Sequence, residues 1–541
     1  MNRCLVFLVL LLESVSNATV RPIWTANEPD AGNPIPVVTD KAGNTYIAKF
    51  DDHTLTVVKR SARGEPVWAT SLPNEAFPLA ITVDRGGSVY VTGTIYNHGN
   101  PTNFADGVTW RFHRNGTLLW RVVYAGLDNT DDFPTGIGLD DAGRLYVVGR
   151  SFHRFDPSPA KYHFLIRYDA AGNRVWARRF DAGLLGASNT GTMAVNPQGG
   201  VAAISAYSIV SCSADGEWLW SWHYDGTFRN AFDSVSYGVA GFDAHEHLYV
   251  AGDSLLDGQR LPAVRKFSAE GTLLWTTPYR GPAENPGEPL DLRVDADGYA
   301  YLGLDVPIAC QWVPGDERPE LNCNYRPAVV KFAPHGTLLW ASRFAGNPSY
   351  LYSFAGMALD GDGRVSVVAR AASYDAAGDR YFAQDALFGQ VDAEGNQLWE
   401  LFFHSDSARE LWPYAPHTDA KKSLYLPSEL IDRGGGGNVD LLLAKFHRRR
   451  MHNKLNVAIT STAQDVIPGA TAQFTAQVTG ARRLRYQWRF NSMPLPGQTQ
   501  PTLTLEGVTS QHAGDYSVEV RSPGVETVST EVRLTVAPAG N

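Results

Sequence analysis

The chain has 541 residues, of which 44% are apolar and 19% are charged, with 51 glycines and 32 prolines. This composition is typical of a turn-rich all-β protein, and it excludes a disordered chain, a coiled coil or a bundle of long helices, which need more charge or fewer helix breakers. The formal net charge of −9 argues against a nucleic-acid partner, because a nucleic-acid-binding surface usually carries a basic face.

Residues 1–18 have the features of a secretory signal peptide. Arg3 gives a positive start, residues 4–12 form an apolar run, and Ser16-Asn17-Ala18 is a small-x-small cleavage site. An uncleaved membrane anchor is the alternative, but an apolar run of nine residues is too short for a bilayer, which needs about 20. We therefore expect cleavage after Ala18, a secreted or cell-surface protein, and no transmembrane segment in the mature chain.

Two sequence boxes alternate along residues 19–447. The first is an apolar strand, an Asp-x-x-Gly type turn and a strand containing Tyr, as in residues 83–91; the second is a strand ending in basic-aromatic, a Gly turn and a strand carrying Trp, as in residues 264–275. Each box predicts a β-hairpin, because Asp accepts hydrogen bonds from the turn backbone and Gly supplies the positive φ. The turn residues are Asp40, Asp84, Asp140, Asn196, Asp243, Asp295, Asp360 and Asp419, and the tryptophans are Trp24, Trp68, Trp120, Trp176, Trp220, Trp275, Trp340 and Trp399.

The ends of the repeat series are complementary. Residues 441–446 form a strand with no Trp strand after it, and residues 22–25 form a Trp strand with no partner before it. If the N-terminal strand completes the last four-stranded unit, the ring closes without an unpaired edge. The sequence thus predicts an eight-bladed β-propeller over residues 19–447; seven blades plus an irregular piece is the alternative, since the fourth and eighth copies are degraded.

Segments such as 81–93 and 330–340 resemble the bacterial β-propeller repeat often called SBBP, and the resemblance covers about 430 residues. It implies architecture and little chemistry, because the shared residues are turn and packing positions. A weaker similarity connects the chain to the Gly-x-x-x-Trp blades of pyrroloquinoline-quinone enzymes. The recurrent Trp is interpreted as packing between blades. The recurrent cation of the third strand is interpreted as a structural neighbour of that core, at Lys59, Arg111, Arg167, Lys266, Lys331 and Lys445.

Removal of the signal peptide leaves three cysteines. Cys310 and Cys323 lie in one long loop, and an exported protein can oxidise them, so we predict a disulfide between them. Cys212 lies in an apolar strand, where we expect an unreactive buried thiol.

After a polar, basic linker at 448–455, residues 456–541 change to short alternating strands. Trp488 is expected in the core of a sandwich, and Tyr516 resembles the corner tyrosine of immunoglobulin-like domains. The two bridge cysteines of that family would fall at Ala476 and Val518, so this copy lacks the disulfide.

Chain order places both tight turns of each repeat at one end, which we call the tight-turn face, and the long connections at the other, the long-loop face. The long connections include residues 253–262 and 305–327. Loops on a rigid scaffold usually carry binding residues, and aromatic side chains rimmed by carboxylates suit sugars, peptides or cationic groups. The candidate ligand-binding residues are Asp131, Asp132, Phe133, Phe228, Asp233, Tyr237, Tyr350, Tyr352, Trp412 and Tyr414.

Two segments carry candidate metal ligands. Residues 128–132 offer hard oxygens that suit Ca²⁺, but they lack the spacing and the terminal Glu of a known calcium loop, so Ca²⁺ is a candidate and no other cofactor is expected. His245 and His247 flank Glu246 in a turn on the tight-turn face, and a metal there is rejected for want of further ligands.

No Gly-x-Ser-x-Gly, His-Glu-x-x-His or phosphate-binding motif is present, so no catalytic residue is assigned. The leading hypothesis is an exported, non-enzymatic binding or adhesion protein whose loop face contacts a carbohydrate or protein ligand outside the cell. Two alternatives stay open. One is an exported enzyme that uses the propeller channel, either a polysaccharide hydrolase or lyase or a quinone-dependent oxidoreductase. The other is a scaffold subunit of an envelope assembly.

Overall fold

The chain folds into β-strands and one short 3-10 helix, Ser510–His512, within the part of the chain that the structure describes. The predicted signal peptide and the predicted linker at 448–455 lie outside that part. The computed structural model describes residues 22–29, 35–96, 105–126, 131–152, 161–181, 192–204, 208–223, 240–281, 287–313, 320–346, 350–374, 381–404, 410–431, 439–446, 456–461, 465–479, 484–521 and 528–537.

After an initial strand, β1 (Trp24–Glu28), seven four-stranded antiparallel sheets follow in chain order. The first three are β2 (Val37–Thr39), β3 (Thr45–Asp51), β4 (Thr54–Arg60) and β5 (Pro66–Pro73); β6 (Phe77–Val83), β7 (Val89–Tyr96), β8 (Ala105–Phe112) and β9 (Leu118–Tyr124); and β10 (Asp131–Leu139), β11 (Leu145–Phe152), β12 (Lys161–Tyr168) and β13 (Arg174–Asp181). The fourth and fifth are β14 (Thr192–Val195), β15 (Val201–Ile204), β16 (Ser208–Cys212) and β17 (Trp218–His223); and β18 (Ala240–Phe242), β19 (Leu248–Leu256), β20 (Gln259–Phe267) and β21 (Leu273–Pro278). The sixth and seventh are β22 (Glu288–Val294), β23 (Ala300–Val313), β24 (Glu320–Phe332) and β25 (Leu338–Arg343); and β26 (Leu351–Leu359), β27 (Val365–Tyr374), β28 (Tyr381–Val391) and β29 (Gln397–His404).

The eighth sheet joins the two ends of the repeat region. Its strands are β30 (Glu410–Pro413), β31 (His417–Thr418), β32 (Leu424–Ile431), β33 (Val439–Phe446) and β1. β1 pairs antiparallel with β33, with Trp24 opposite Lys445 and Glu28 opposite Leu441. The predicted pairing of the N-terminal strand with residues 441–446 is therefore confirmed.

The first strands of neighbouring sheets contact one another around a complete circuit. β2 contacts β6, and the contacts continue through β10, β14, β18, β22 and β26 to β31, which contacts β2 again. The core lies between neighbouring sheets: one apolar cluster joins Ala48 and Val57 of the first sheet to Val91 and Trp110 of the second. Repeated four-stranded antiparallel sheets in this arrangement are consistent with a β-propeller.

The tight-turn face is built as the sequence predicts. In the second sheet, Ser88 N donates to Asp84 Oδ1 at 2.8 Å, and Gly87 adopts a φ of 83°. The Tyr90 hydroxyl donates to Asp84 Oδ2 at 3.2 Å, so the carboxylate ties the turn to the neighbouring strand. The same Tyr–Asp hydrogen bond occurs at Tyr46, Tyr146, Tyr249, Tyr301 and Tyr425.

The repeated tyrosine, cation and tryptophan lie side by side across three strands, and we call this the cross-strand row. In the fifth sheet, Tyr249 is opposite Lys266, which is opposite Trp275. The Lys266 ammonium lies 4.8 Å from the Tyr249 ring centroid and 3.5 Å from Asp243 Oδ2. The interpretation of the recurrent cation as structural is thus confirmed.

Each row also reaches the next sheet. Trp275 Nε1 and Lys266 Nζ both donate to the carbonyl oxygen of Pro334, at 3.0 and 3.2 Å. The indole lies against the turn glycine of that next sheet, because a Cβ placed on Gly336 would be 2.9 Å from Trp275 Cδ2. The same glycine–indole contact occurs at Gly64, Gly116, Gly172, Gly216, Gly271 and Gly395.

Two connections that the sequence analysis treated as long loops on the long-loop face are mostly strand. β19 runs to Leu256 and β20 begins at Gln259, joined by Asp257 and Gly258 with φ values of 53° and 75°. Two positive φ values in a two-residue connection make a type I′ hairpin turn, for which Asp-Gly is a preferred sequence. The 305–327 segment likewise extends β23 and β24.

The C-terminal part forms two further sheets. One consists of β34 (Asn456–Ser461), β36 (Ala472–Thr479) and β39 (Thr502–Leu505); the other of β35 (Asp465–Val466), β41 (Val528–Val536), β40 (Gly514–Arg521), β37 (Arg485–Phe490) and β38 (Met493–Pro494). Trp488 is fully buried in their shared core with Phe474 and Tyr516, and the Tyr516 hydroxyl donates to His512 O at 2.9 Å.

A search of the described residues for a helix with the length and apolar character of a membrane span found none.

A pair of glycines tests the glycine–indole contact. Gly172 and Gly143 both adopt positive φ, 88° and 77°, but a Cβ would meet Trp120 Cδ2 at 2.8 Å from Gly172 and nothing within 4 Å from Gly143. Gly143→Ala should cost the backbone penalty alone, about 1–2 kcal/mol, whereas Gly172→Ala should cost about 1–3 kcal/mol more through overpacking. Urea unfolding of the two variants measures the difference, and equal losses of stability would contradict the contact.

Candidate functional site

The candidate site lies at the long-loop face of the seventh and eighth sheets. In every sheet, the first strand begins and the second strand ends at this face. Four segments therefore lie near one another there: the start of β26 and the end of β27 in the seventh sheet, and β30 and the end of β32 in the eighth. We call the resulting group the aromatic–arginine cluster. It consists of Arg370, Glu410, Trp412, Tyr414 and Glu429. The candidates Tyr350 and Tyr352 lie on the other side of the seventh sheet, in the apolar cluster that joins it to the sixth sheet.

Trp412 is the exposed member of the cluster, with 41% of its surface accessible. The guanidinium carbon of Arg370 lies 4.0 Å from the indole centroid, and the indole Nε1 donates to Glu410 Oε2 at 2.9 Å. A cation therefore covers part of the ring and a carboxylate fixes its edge, while the remaining indole surface stays open to solvent.

Tyr414 follows Trp412 and is held by β32. Its backbone N donates to Pro427 O at 2.9 Å, and its hydroxyl donates to Glu429 Oε1. Glu429 is buried and lies directly opposite Trp412. Burial raises the pKa of the Glu429 carboxyl above its usual value, against the lowering effect of the Tyr414 hydrogen bond.

Tyr350 and Tyr352 pack with Phe402 in the seventh sheet. The ring centroid of Phe402 is 6.0 Å from that of Tyr350 and 6.4 Å from that of Tyr352. Burial, with a hydrogen bond to Asp385, raises the pKa of Tyr350 to about 12. The buried Arg326 of the sixth sheet lies 4.8 Å from the Tyr352 centroid, so these tyrosines take part in packing between the sixth and seventh sheets, away from Trp412.

The other described candidates belong to the third sheet. Asp131 Oδ1 accepts Ala105 N at 2.6 Å, while Asp132 accepts Gly126 N at 2.5 Å and the Ser151 hydroxyl. Both aspartates are fully buried. Their oxygens brace the protein's own chain, so their role as ligand or Ca²⁺ contacts stays a prediction.

Phe133 lies near Arg150, whose guanidinium carbon is 5.6 Å from the ring centroid. Phe133 and Arg150 are direct cross-strand partners in β10 and β11. Phe228, Asp233 and Tyr237 lie outside the described residues.

The structure adds residues that the sequence analysis missed: Arg150, Arg326, Arg370, Asp385, Glu410 and Glu429. Arg150 and Arg370 lie in second strands, and each approaches an aromatic ring. A signal exists only for Phe133 and Arg150, which are symmetric about the turn that joins their strands. The Arg370–Trp412 contact crosses between sheets and has no such signal.

A buried carboxyl connects the sixth and seventh sheets at the long-loop face. Asp305 accepts Phe354 N with both oxygens, at 2.9 and 3.1 Å. Burial raises the pKa of this carboxyl to about 7. The hydrogen bond from Phe354 N acts in the opposite direction, whereas the like charge of Glu288, the cross-strand partner of Asp305, raises the pKa further.

On the tight-turn face, Asp243, His245 and His247 place one ligand atom each within 4.8 Å of one another. The sequence shows too few ligands for a metal here, but the fold brings Asp243 alongside the two histidines as a third candidate ligand. However, Asp243 Oδ2 already accepts the Tyr249 hydroxyl at 3.1 Å and lies 3.5 Å from the Lys266 ammonium. A metal ion would compete with that cation.

Cys212 is buried as predicted, and the disulfide between Cys310 and Cys323 stays a prediction. Cys212 is fully buried, and burial raises the pKa of its thiol to about 11, which disfavours the reactive thiolate. Cys310 and Cys323 are direct cross-strand partners in β23 and β24.

Comparison with solved structures finds β-propeller proteins. The WD40 domain of SCAP from fission yeast is 11% identical with a TM-score of 0.40, and the match covers 78% of this chain and 94% of that one. A polysaccharide lyase described as an ulvan lyase is 11% identical with a TM-score of 0.37, covering 78% and 95%. A gluconolactonase from Xanthomonas campestris is 15% identical with a TM-score of 0.26, covering 53% and 93%. Neither a known protein family nor a curated protein matches the sequence.

The register of β23 and β24 sharpens the disulfide prediction. Directly opposed residues of antiparallel strands have Cα atoms about 4.5–5.5 Å apart, within the range of about 4.4–6.8 Å that a disulfide spans. A Glu-specific protease cuts between the cysteines at Glu317 and Glu320, so non-reduced digests of the protein produced in an oxidising compartment should contain the two halves joined. A reductant should lower the melting temperature of the native protein but not that of the Cys310→Ser/Cys323→Ser variant. Separate halves in the non-reduced digest would contradict the bridge.

The raised pKa of Asp305 predicts a pH dependence of stability. The ordinary value is about 3.9, so between about pH 4 and 7 the folded state binds more protons than the unfolded state, and stability falls as pH rises through that window. Asp305→Asn should abolish this fall, so that the variant gains stability relative to the native protein from pH 4 to 8. Calorimetric melting temperatures measure it, with the exposed Asp297→Asn as control. Parallel pH curves for the native protein and Asp305→Asn would rule the effect out.

Proposed function

We propose that the chain is an exported, non-enzymatic binding protein that uses its long-loop face to hold a carbohydrate. In this proposal, an eight-bladed propeller of the SBBP repeat type carries the site, and a C-terminal immunoglobulin-like domain acts as a spacer or second contact. The signal-peptide pattern of residues 1–18 supports export. The eight sheets, the pairing of β1 with β33 and the complete circuit of first strands support the blade count.

The immunoglobulin-like assignment rests on the core of residues 456–537. Trp488 is buried between two sheets, and the Tyr516 hydroxyl donates to the backbone of a residue a few positions upstream. Both features are typical of immunoglobulin-like sandwiches. The positions expected for the bridge are Ala476 and Val518, both buried in this core, so apolar packing replaces the disulfide.

The observation that carries the carbohydrate proposal is the exposed indole of Trp412. Sugar rings present C–H faces that pack on aromatic rings, and their hydroxyls bond to polar groups at the rim. Arg370 and Glu410 hold the indole in place, so little conformational freedom remains to be lost when a sugar stacks on it.

The carboxylates of the cluster favour binding over turnover. Glycoside hydrolysis needs two carboxyl groups that reach the scissile bond. Glu429 is buried and bonded to Tyr414, and Glu410 accepts the Trp412 N–H. Both are engaged in holding the aromatic platform.

The proposal is tested with polysaccharide and peptide arrays and with isothermal titration of the best polysaccharide. Trp412→Ala should weaken binding at least about tenfold, since stacked aromatic anchors contribute about 2 kcal/mol or more, and Trp412→Phe should retain part of it. Trp218 is 46% exposed at the tight-turn end of the fourth sheet, so Trp218→Ala is the matched control and should bind normally.

Three outcomes would overturn the proposal. Release of sugar ends that Glu410→Gln abolishes would favour the hydrolase or lyase, and a stoichiometric protein partner without polysaccharide binding would favour the scaffold subunit. Equal loss of binding in Trp218→Ala and Trp412→Ala would show that the indole of Trp412 is not the site.

A further inference from the structure

The cross-strand row provides a standard against which the eight sheets can be compared. In five sheets, the third-strand cation and the fourth-strand Trp donate to one shared carbonyl of the next sheet. In the third sheet, for example, Arg167 Nη1 and Trp176 Nε1 both lie 2.9 Å from Ala214 O. The other shared carbonyls are those of Ala62, Ala170, Pro334 and Ala393.

The fourth sheet departs from this standard at every polar position. Asn196 replaces the turn aspartate, Ala202 stands in the tyrosine position and Ser211 in the cation position. Trp220 is retained opposite Ser211, and its Nε1 donates to Ala269 O at 2.9 Å. The serine has no side-chain nitrogen to place beside the indole at that carbonyl.

A cleft occupies this place between the fourth and fifth sheets, with a volume of about 190 Å³. Its lining includes Asn196, Ser211, Trp220, Glu246, Ser268 and Ala269. A cavity of about 150 Å³ accommodates benzene, so this cleft has room for a short alkyl chain with a polar head.

The charge of the cleft favours a cation. In other sheets, the turn aspartate lies close to the cation of the cross-strand row. In the eighth sheet, for example, Asp419 Oδ2 is 3.5 Å from Lys445 Nζ. In the fourth sheet, Asn196 is neutral and its Oδ1 accepts Gly200 N at 2.7 Å. Among the described residues that line the cleft, only Glu246, from the fifth sheet, is charged, so the negative charge comes from the opposite wall.

The seventh sheet also lacks the tyrosine and the cation of the cross-strand row, but the residues that replace them bond to one another. There Ser366 and Gln390 stand in the tyrosine and cation positions. Gln390 Nε2 donates to Ser366 Oγ at 2.9 Å, and Trp399 Nε1 donates to Gln390 Oε1 at 3.2 Å. That row satisfies its own polar groups. Ala202 and Ser211 are too small to do the same.

We propose that the cleft between the fourth and fifth sheets binds a primary ammonium or guanidinium group on a short alkyl stem. The head takes the place of the missing row cation, beside Ala269 O and Glu246, and the stem lies along Trp220. The site is on the tight-turn face and is independent of the carbohydrate site. The ligand comes either from a free alkylamine or from a lysine or arginine side chain of another protein.

The test uses the full exported protein and ligand-observed NMR titration. n-Butylammonium and methylguanidinium should bind, whereas 1-butanol, a neutral isostere of the first, should not. Glu246→Gln should weaken binding about fivefold, as expected for a partly exposed ion pair. Glu217 is exposed in a tight turn of the fourth sheet and is not among the residues that line the cleft, so Glu217→Gln is the matched control.

Ser211→Lys, with Ala202→Tyr as a second change, rebuilds the row. The double variant should no longer bind n-butylammonium, and its melting temperature should rise. If the double variant does not fold, the affinity of Glu246→Gln decides the question. A Gly-Lys-Gly peptide with an acetylated N-terminus and an amidated C-terminus distinguishes the two sources of the ligand. If the peptide binds, the ligand is a protein side chain. If n-butylammonium binds and the peptide does not, the ligand is a free amine. Equal binding of 1-butanol, or binding of a monosaccharide in place of the amines, would overturn the proposal.

Discussion

The contact on which the sheet circuit depends is the indole of one sheet lying on the turn glycine of the next. The indole N–H reaches the carbonyl beside that glycine, so each contact combines packing with one hydrogen bond. A Cβ on the glycine would collide with the ring, which fixes glycine at a position where positive φ already favours it. Each sheet is stabilised by contacts with its neighbours, so the circuit leaves no sheet without a neighbour only if it closes. It closes where Trp24 of the eighth sheet lies on Gly64 of the first.

Closure by strands from opposite ends of the chain also explains the exceptional seventh row. In the other sheets, the turn between the third and fourth strands supplies the carbonyl that receives the preceding row. In the eighth sheet these strands are β33 and β1, which no turn connects. Trp399 consequently donates within its own sheet, to Gln390, and a lysine at that position would have no turn carbonyl to reach. The substitution of the cation therefore follows from how the circuit is closed.

The sequence was sufficient for the features that repeat. The Asp turns, the hairpins and the pairing of β1 with β33 follow from local turn chemistry and from complementary unfinished ends. It was insufficient for contacts between sheets on the long-loop face, because the approach of Arg370 to Trp412 leaves no periodic signal in the sequence. The Asp257-Gly258 hairpin is different: its dipeptide signal was present and was outweighed by the assumption that this face carries long loops.

The two faces consequently support different kinds of inference. On the long-loop face the segments differ from one repeat to the next, so a residue there has no equivalent for comparison and function must be argued from exposure, as for Trp412. On the tight-turn face the same interactions recur, so each row serves as a control for the others. The small residues Ala202 and Ser211 are then informative because Trp220 and Ala269 O keep the standard geometry around them. A position that loses its cation while its acceptor stays in place is physically suited to receive one from outside.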